Sequence, residues 1–397
     1  MKTLYPYFLL IFGCLLLSCT AVYKKKEKIK IIGLKAPVEI LRDQWGINHI
    51  YAENQEDLFF AQGYVAAKDR LFQFEIWRRQ ATGTVAEILG SRAVKRDIGT
   101  RLFKYRGDMH EEMNHYHEDG VAIIQAYTLG VNAYINEILK QPEELPIEFK
   151  LLGLVPKKWT PEVVISRHQG LLGNINQELN IGRAVAKIGS KAVKKLMWFH
   201  PKKPNIDLDT SITKKVLALK ILELYNAFRK EIEFKAEDLL PEYVSSVSLL
   251  EAPKTEIIPN DSHAIGSNNW VISGSKTKDG NTYMANDPHR KISVPSLRYM
   301  VHLSAPGWEV IGGGEPEIPG ISIGHNTFGT WGLTVYSTDG EDLYIYDINP
   351  ENYQQYLHNN EWIDMHSITE TIKVKNQADL EVQLNYSLHG PITLIDT

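Results

Sequence analysis

Two side chains able to do nucleophilic chemistry, Ser267 and His289, lie on either side of one predicted turn. Asn269 to Ser273 (NWVIS) and Asn281 to Ala285 (NTYMA) have strand character and flank Lys278-Asp279-Gly280. An Asp-Gly pair between two such runs predicts a β-hairpin, because both residues tolerate the positive φ of a tight turn. Ser267 is twelve residues before Asp279 and His289 is nine after Gly280, so both fall near the open end of that hairpin. A hydroxyl and an imidazole on adjacent strands can support nucleophilic catalysis, the ring taking the hydroxyl proton. On spacing alone, two unrelated surface residues are the commoner outcome. A second group, Asp339, Glu341 and Asp342, follows the run Thr330 to Ser337 (TWGLTVYS). It reads either as an acidic surface loop or as part of a calcium site, since that ion takes several carboxylate and carbonyl oxygens.

The elements that must carry these groups change character along the chain. Ile29 to Ile32 and Val38 to Leu41 read as short strands, and Asp43 to Ala52 (DQWGINHIYA) as a turn and a strand. Asn54 and Asp57 have N-cap and N3 spacing, and Leu58, Ala61, Val65, Phe72 and Ile76 then recur at helical intervals until Gly83 and Gly90. More helical patterns occupy roughly 110–230, including Val216, Ile221, Leu224 and Phe228. Residues 235–266 carry three prolines and no sustained period, as a linker or a long surface loop would. From Ser267 onward the pattern is strands and turns: NNWVISG, NTYMAND, WEVIGGG, TWGLTVYS, LYIYDI and TIKVK. Helices first and strands second predict an α+β fold.

The chain has 397 residues, room for two average domains or one large one. Its net charge of -4, with both signs interspersed, speaks against a nucleic-acid partner, which needs a concentrated basic surface. The two cysteines are Cys14 and Cys19, so the rest of the chain holds no disulfide and no thiolate metal site. Lys2 followed by the apolar run Leu4 to Leu17 has the form of a secretory signal and is short for a membrane span. Leu16-Leu17-Ser18-Cys19 resembles a bacterial lipobox, which implies removal of the signal before Cys19 and lipidation of its thiol. The expected location is then the cell envelope, as a periplasm-facing lipoprotein of the outer rather than the inner membrane.

The motif GSNNWVISG followed by NDPH resembles the start of the β chain in the penicillin acylase family of N-terminal nucleophile hydrolases. Other stretches resemble the family too. They are Asp43, Gly46, His49 and Ile50 (DxxGxxHI), the helical run Gly63 to Gly90, Pro319-Gly320, Gly324-His325-Asn326 and Trp331-Gly332-Leu333-Thr334, so that about 38 to 390 is covered. The resemblance implies an αββα sandwich wrapped by a mainly helical α-chain region. It implies autoproteolysis between Gly266 and Ser267, glycine tolerating the strained backbone that such an attack requires. Ser267 is then the nucleophile of a hydrolase acting on linear, non-peptide amides, and its new α-amino group, titrating near pH 8, is the base. His289 matches the histidine of cephalosporin and acyl-homoserine-lactone acylases, and the backbone N–H of Val335 matches an oxyanion donor. Asn268 and Trp270 would shape the site. Leu172, Arg290 and Ile323 match acyl-pocket positions, and Arg290 stands where many relatives have an apolar residue, so a phenylacetyl-shaped pocket is not expected.

The same resemblance implies a structural calcium ion on the side chains of Glu178, Asp339 and Asp342 and the carbonyl of Glu341, with no organic cofactor. The implied partners are a small acyl amide, the α and β chains of one precursor, and a membrane through the lipid anchor. The expected segments are a signal over 1–19, a tether over 20–30, the α-chain region over 31–234, a spacer over 235–266 and the start of the β chain over 267–397. Relatives of the family continue further, supplying an oxyanion-hole asparagine, an arginine and an acidic partner for the histidine. The expectation is therefore a fragment incomplete at its C-terminus, and the alternative is an acylase-like lipoprotein that only binds.

Overall fold

The computed structural model describes residues 27–167, 173–199, 203–248, 266–289, 293–335 and 339–396. Residues 27–33 belong to a separate unit, Met1–Gly33. The expected strand at Ile29–Ile32 does not form there; the chain turns at Ile32–Gly33, with Gly33 at a φ of 118°.

In the larger unit the first strands are β1 (Glu39–Arg42) and β2 (Asn48–Tyr51), an antiparallel pair. The longest helix, α1 (Gln55–Thr82), starts where the sequence places its cap: the Asn54 side chain accepts from the Asp57 N–H at 2.8 Å. The Asp57 carboxylate in turn accepts the backbone N–H groups of Lys35 and Ala36 at 2.8 and 2.9 Å, fixing the incoming chain. Gly83 ends the helix in the left-handed conformation, at φ 60°. α1 is kinked at Arg70, whose φ of -135° and ψ of 27° are not helical. Its buried residues include Glu75, Arg78 and Arg79, and the Glu75 carboxylate receives both guanidinium groups at 2.7–3.0 Å together with the Lys157 N–H. Pairing of this kind is what allows a charged group to sit in a core.

Two further helices, α2 (Val94–Phe103) and α3 (Gly120–Ile138), follow. Where α1 and α3 cross, each has glycine at the contact. A Cβ on Gly63 would lie 2.1 Å from the Tyr127 carbonyl oxygen, and one on Gly130 would lie 1.9 Å from that of Phe60. The helical half continues with α4 (Asn174–Ile188) and α5 (Glu223–Arg229). The pattern through Val216, Ile221, Leu224 and Phe228 resolves into two short helices, Lys214–Ala218 and α5, rather than one. The predicted irregular stretch after 235 contains a helix at Pro241–Ser248, its proline at the first position, where a missing N–H costs nothing. Residues 249–265 lie outside the described ones.

The second half builds strands. β3 (Ser267–Ile272) and β4 (Tyr283–Pro288) form a separate antiparallel hairpin. Its connection is ten residues, 273–282, with a 3-10 turn at Gly274–Lys276, not the tight Asp-Gly turn expected. Asp279 instead organises the loop, accepting from the Asn281 N–H and the Tyr283 hydroxyl. β5 (Tyr299–Ala305), β6 (Trp308–Gly314), β7 (Ile323–Asn326) and β8 (Thr330–Trp331) join β1 and β2 in one six-stranded sheet, ordered β1-β2-β5-β6-β7-β8. Only β2 and β5 are parallel. Ile50, Val301 and Leu303 point from these strands into the core; their opposite-facing neighbours include His49 and His302. Among its described residues the run TWGLTVYS pairs only at β8, and LYIYDI makes no strand beyond one bridge, Ile348 with Tyr356. The remaining strands form sheets of two and three, the latter packing Ile372 against Val85, Ala86 and Ala93. The chain is thus mixed helix and sheet, as the α+β reading requires.

The crossing of α1 and α3 gives a test. By helix propensity alone, Gly130→Ala would gain about 1 kcal/mol. The contact with the Phe60 carbonyl predicts the opposite: a net loss of about 1–3 kcal/mol in urea unfolding as the helices are forced apart.

Candidate active site

Ser267 opens β3 opposite Pro288, and the ladder continues one step further, with the His289 N–H donating to the Gly266 carbonyl at 2.9 Å. The hairpin therefore brings together the groups that spacing had put at its open end. The His289 ring meets the Asp287 carboxylate at 2.8 Å through Nε2. A carboxylate on one ring nitrogen fixes the tautomer and orientation of the other. Nδ1 faces the Gly266 backbone, 4.0 Å from where a Cβ on that glycine would be. The Ser267 Oγ is shielded from solvent and has no hydrogen-bond partner among the described residues. A buried hydroxyl left unsatisfied carries a desolvation cost of roughly 1–3 kcal/mol, and it is available to a reacting carbonyl.

Asp287 is a residue that the sequence reading did not single out; it expected an acidic partner from further along the chain. The signal was in the motif NDPH: Asp287 and His289 are two apart on a strand, so they share a face. Asn286 was missed as well. Its Oδ1 accepts the Leu333 N–H at 3.0 Å, and its Nδ2 donates to the carbonyls of Leu333 at 3.1 Å and Asn268 at 3.0 Å. One side chain thus ties the segment leading to Val335 onto the hairpin. Gly332 lets it approach: a Cβ there would lie 2.8 Å from both the Asn269 and Asn286 amides. Val335 itself is exposed, two residues beyond this clamp, and Trp270 is exposed on β3.

Ile323 lines a cleft of about 430 Å³ with Pro288, Arg298, Met300, Ile311 and His325. Its floor is bare backbone. A Cβ on Gly312 would lie 2.1 Å from the Ile323 carbonyl oxygen, and one on Gly324 2.3 Å from that of Ile311. The cleft reaches the hairpin at Pro288, the register partner of Ser267. Leu172, Arg290 and Cys19 lie outside the described residues.

The carboxylates of Glu178, Asp339 and Asp342 converge, with one oxygen from each within 4.8 Å of the others. Glu178 comes from α4 and the other two from the loop at 339–342. The Asn174 Nδ2 sits among them, at 2.5 Å from Glu178 Oε1, 3.0 Å from Asp339 Oδ1 and 2.7 Å from the Glu341 carbonyl. An amide has two hydrogens for these three acceptors, so the oxygens outnumber the donors offered them. The Glu341 side chain turns away, to the Tyr225 hydroxyl at 2.7 Å. Partial burial, with the charges of Asp339 and Asp342 beside it, raises the Glu178 pKa above the usual carboxylate range. Three carboxylates and a carbonyl form a hard-oxygen donor set that fits calcium.

The clamp makes a prediction of its own. Asn286→Ala should speed hydrogen exchange at the Leu333 amide by about tenfold, the equivalent of one net hydrogen bond. Exchange at the buried Leu303 should be unchanged, which separates release of the segment from general destabilisation.

A family model described as penicillin amidase matches residues 37–395. Penicillin G acylase of Escherichia coli is 28% identical over 90% of this chain and 46% of its own length. Penicillin acylase 2 proenzyme of a Pseudomonas species is 30% identical over 92% of this chain and 44% of its own. Acyl-homoserine lactone acylase QuiP of Pseudomonas aeruginosa is 28% identical over 91% and 40%. The chain therefore spans about half the length of the curated relatives it matches. Among solved structures, a thermostable penicillin G acylase from Alcaligenes faecalis matches 44% of this chain, and 96% of the matched chain, at 25% identity and a TM-score of 0.37. The match to the family model over nearly the whole chain decides the assignment: this protein belongs to the penicillin amidase family.

Proposed function

We propose that this chain carries the nucleophile-bearing part of a self-processing acylase, which hydrolyses a linear amide to release an acyl chain from an amine. The observation that carries the reading is the placement of Ser267 Oγ, Gly266 and His289–Asp287 at one hairpin end, beside a mostly apolar cleft. In maturation the Ser267 Oγ attacks the Gly266 carbonyl carbon, the Gly266–Ser267 C–N bond breaks, and an ester forms. Water then hydrolyses that ester, giving a Gly266 carboxylate and a free Ser267 amine. In this reading the hydroxyl proton passes to His289, the base at the same hairpin end, in this first step, when no amine yet exists. Afterwards the amine serves as the base for Oγ attack on the substrate carbonyl, and the Val335 N–H stabilises the oxyanion. The acyl group occupies the cleft along Ile323, with Leu172 and Arg290 as further pocket residues. Penicillins and acyl-homoserine lactones, the substrates in the relatives' names, are candidate substrates.

Glu178, Asp339, Asp342 and the Glu341 carbonyl would hold a calcium ion whose charge neutralises the cluster and ties α4 to the loop after β8. The assembled architecture is the αββα sandwich. Cys19 would carry the lipid anchor to the periplasmic side of the envelope.

N-terminal sequencing of the purified protein tests the reading. A fragment beginning at Ser267 is expected, together with an intact precursor in Ser267→Ala. A wild-type chain that stays whole, or a variant that is still cut after Gly266, would overturn it. Calcium should raise the melting temperature of the wild type and not that of Glu178→Gln. Its affinity should fall on acidification at a higher pH than an ordinary carboxylate would give, because the raised Glu178 pKa means that protons compete earlier.

A further inference from the structure

On one face of the six-stranded sheet His49 of β2 and His302 of β5 are register partners, and His302 pairs on its other side with Ile311, which lines the cleft. Their Nδ1 atoms face one another at 3.2 Å. Each Nε2 meets a carboxylate: Asp43 at 3.5 Å for His49, and Glu309 at 2.8 Å for His302. Both carboxylates are held from behind. Asp43 Oδ1 accepts the N–H groups of Trp45 and Ile47 at 2.9 Å, and Glu309 Oε2 accepts the Ser304 hydroxyl at 2.7 Å. A carboxylate at each Nε2 favours the tautomer that keeps its proton there. In two neutral rings the Nδ1 atoms are then both acceptors, lone pair against lone pair. An N–H···N hydrogen bond closes the gap if one ring moves its proton to Nδ1 and gives up donation from Nε2, whereas a cation between the two nitrogens leaves both carboxylate contacts in place.

We propose that His49 and His302 form a binding site for a divalent transition-metal ion of the Zn²⁺ class, with water completing the shell. Two zinc–nitrogen bonds of about 2.05 Å whose nitrogens are 3.2 Å apart subtend about 100°, close to tetrahedral. Carboxylates on the outer ring nitrogens, themselves hydrogen-bonded, are the usual support of histidine ligands, fixing the ring and raising its basicity. Imidazole nitrogen selects transition metals over calcium, which takes oxygen. The Tyr51 ring stands edge-on to His302 at 5.5 Å and closes one side. The ion would staple β2 to β5, strands that lie on opposite sides of Gly266. The inference rests on this geometry and holds whether or not the chain is cut there.

The test is calorimetric titration of the untagged full chain with ZnCl₂ at pH 7.5, in excess calcium so that hard-oxygen sites are filled. One site is expected in the wild type and none in His302→Gln or His49→Gln. Glu309→Gln, which keeps both ligands, should weaken binding about tenfold. Copper(II) bound to the wild type should show coupling to two ring nitrogens by electron paramagnetic resonance, and to one in His302→Gln. Absence of zinc binding in the wild type, or equal binding in folded His302→Gln, would overturn the site. A wild type that binds no zinc but shows a slowly exchanging Nδ1 proton by NMR would assign the gap to a shared proton instead.

Discussion

The parallel pairing of Asn48–Tyr51 with Val301–Ser304 is the constraint on which the rest of the larger unit depends. It joins strands about 250 residues apart in sequence and makes one sheet from both sides of Gly266. Side chains reinforce it: Asn48 donates to Asp69 and to the Tyr299 hydroxyl, and Tyr299 donates to the same Asp69. Helix, first-half strand and second-half strand therefore share one buried polar knot. Because such a group is costly to leave unpaired, the knot holds only when all three are in place. The sheet thus joins segments from both sides of Gly266 through hydrogen bonds as well as through the covalent chain.

From that sheet outward, α1 sets the position of the cleft. Its Gln62 grips Gly320 through both backbone groups, at 3.0 and 3.1 Å, and the Tyr127 hydroxyl of α3 donates to the Pro316 carbonyl. These bonds fix the segment that leads into β7, and with it Ile323. Among the described residues the hairpin bearing Ser267 is not hydrogen-bonded into the large sheet as a strand, and the amide of Asn286 links it to the segment after β8. Ser267, His289 and Asp287 thus sit on one local element, which the cleft meets at Pro288 and the segment leading to Val335 meets through the Asn286 side chain.

Local chemistry was legible in the sequence. The N-cap of α1, its glycine stop and the proximity of Ser267 and His289 follow from short-range rules of spacing and turn composition, which do not need the rest of the fold. The elements misread were those whose state depends on a partner. LYIYDI has strand composition, but a strand exists only where a neighbour satisfies its backbone, and here a single bridge forms. The tight Asp-Gly turn gave way to a ten-residue connection in which Asp279 is satisfied by Tyr283 and Asn281.

By itself, the sequence determined which residues could do chemistry and what kind: a serine behind a glycine, a histidine across the hairpin, carboxylates clustered after a strand, and the motifs of the penicillin amidase family. Tertiary structure alone decided which of them meet. Glu178 joins Asp339 and Asp342 across more than 160 residues, and His49 meets His302 across 253. Asp287 meets the His289 ring. The reason is physical: hydrogen-bond and cap rules act over a few residues and are written in local spacing. Contacts between distant segments are fixed by the burial of α1 against the sheet, and no short stretch of sequence records that.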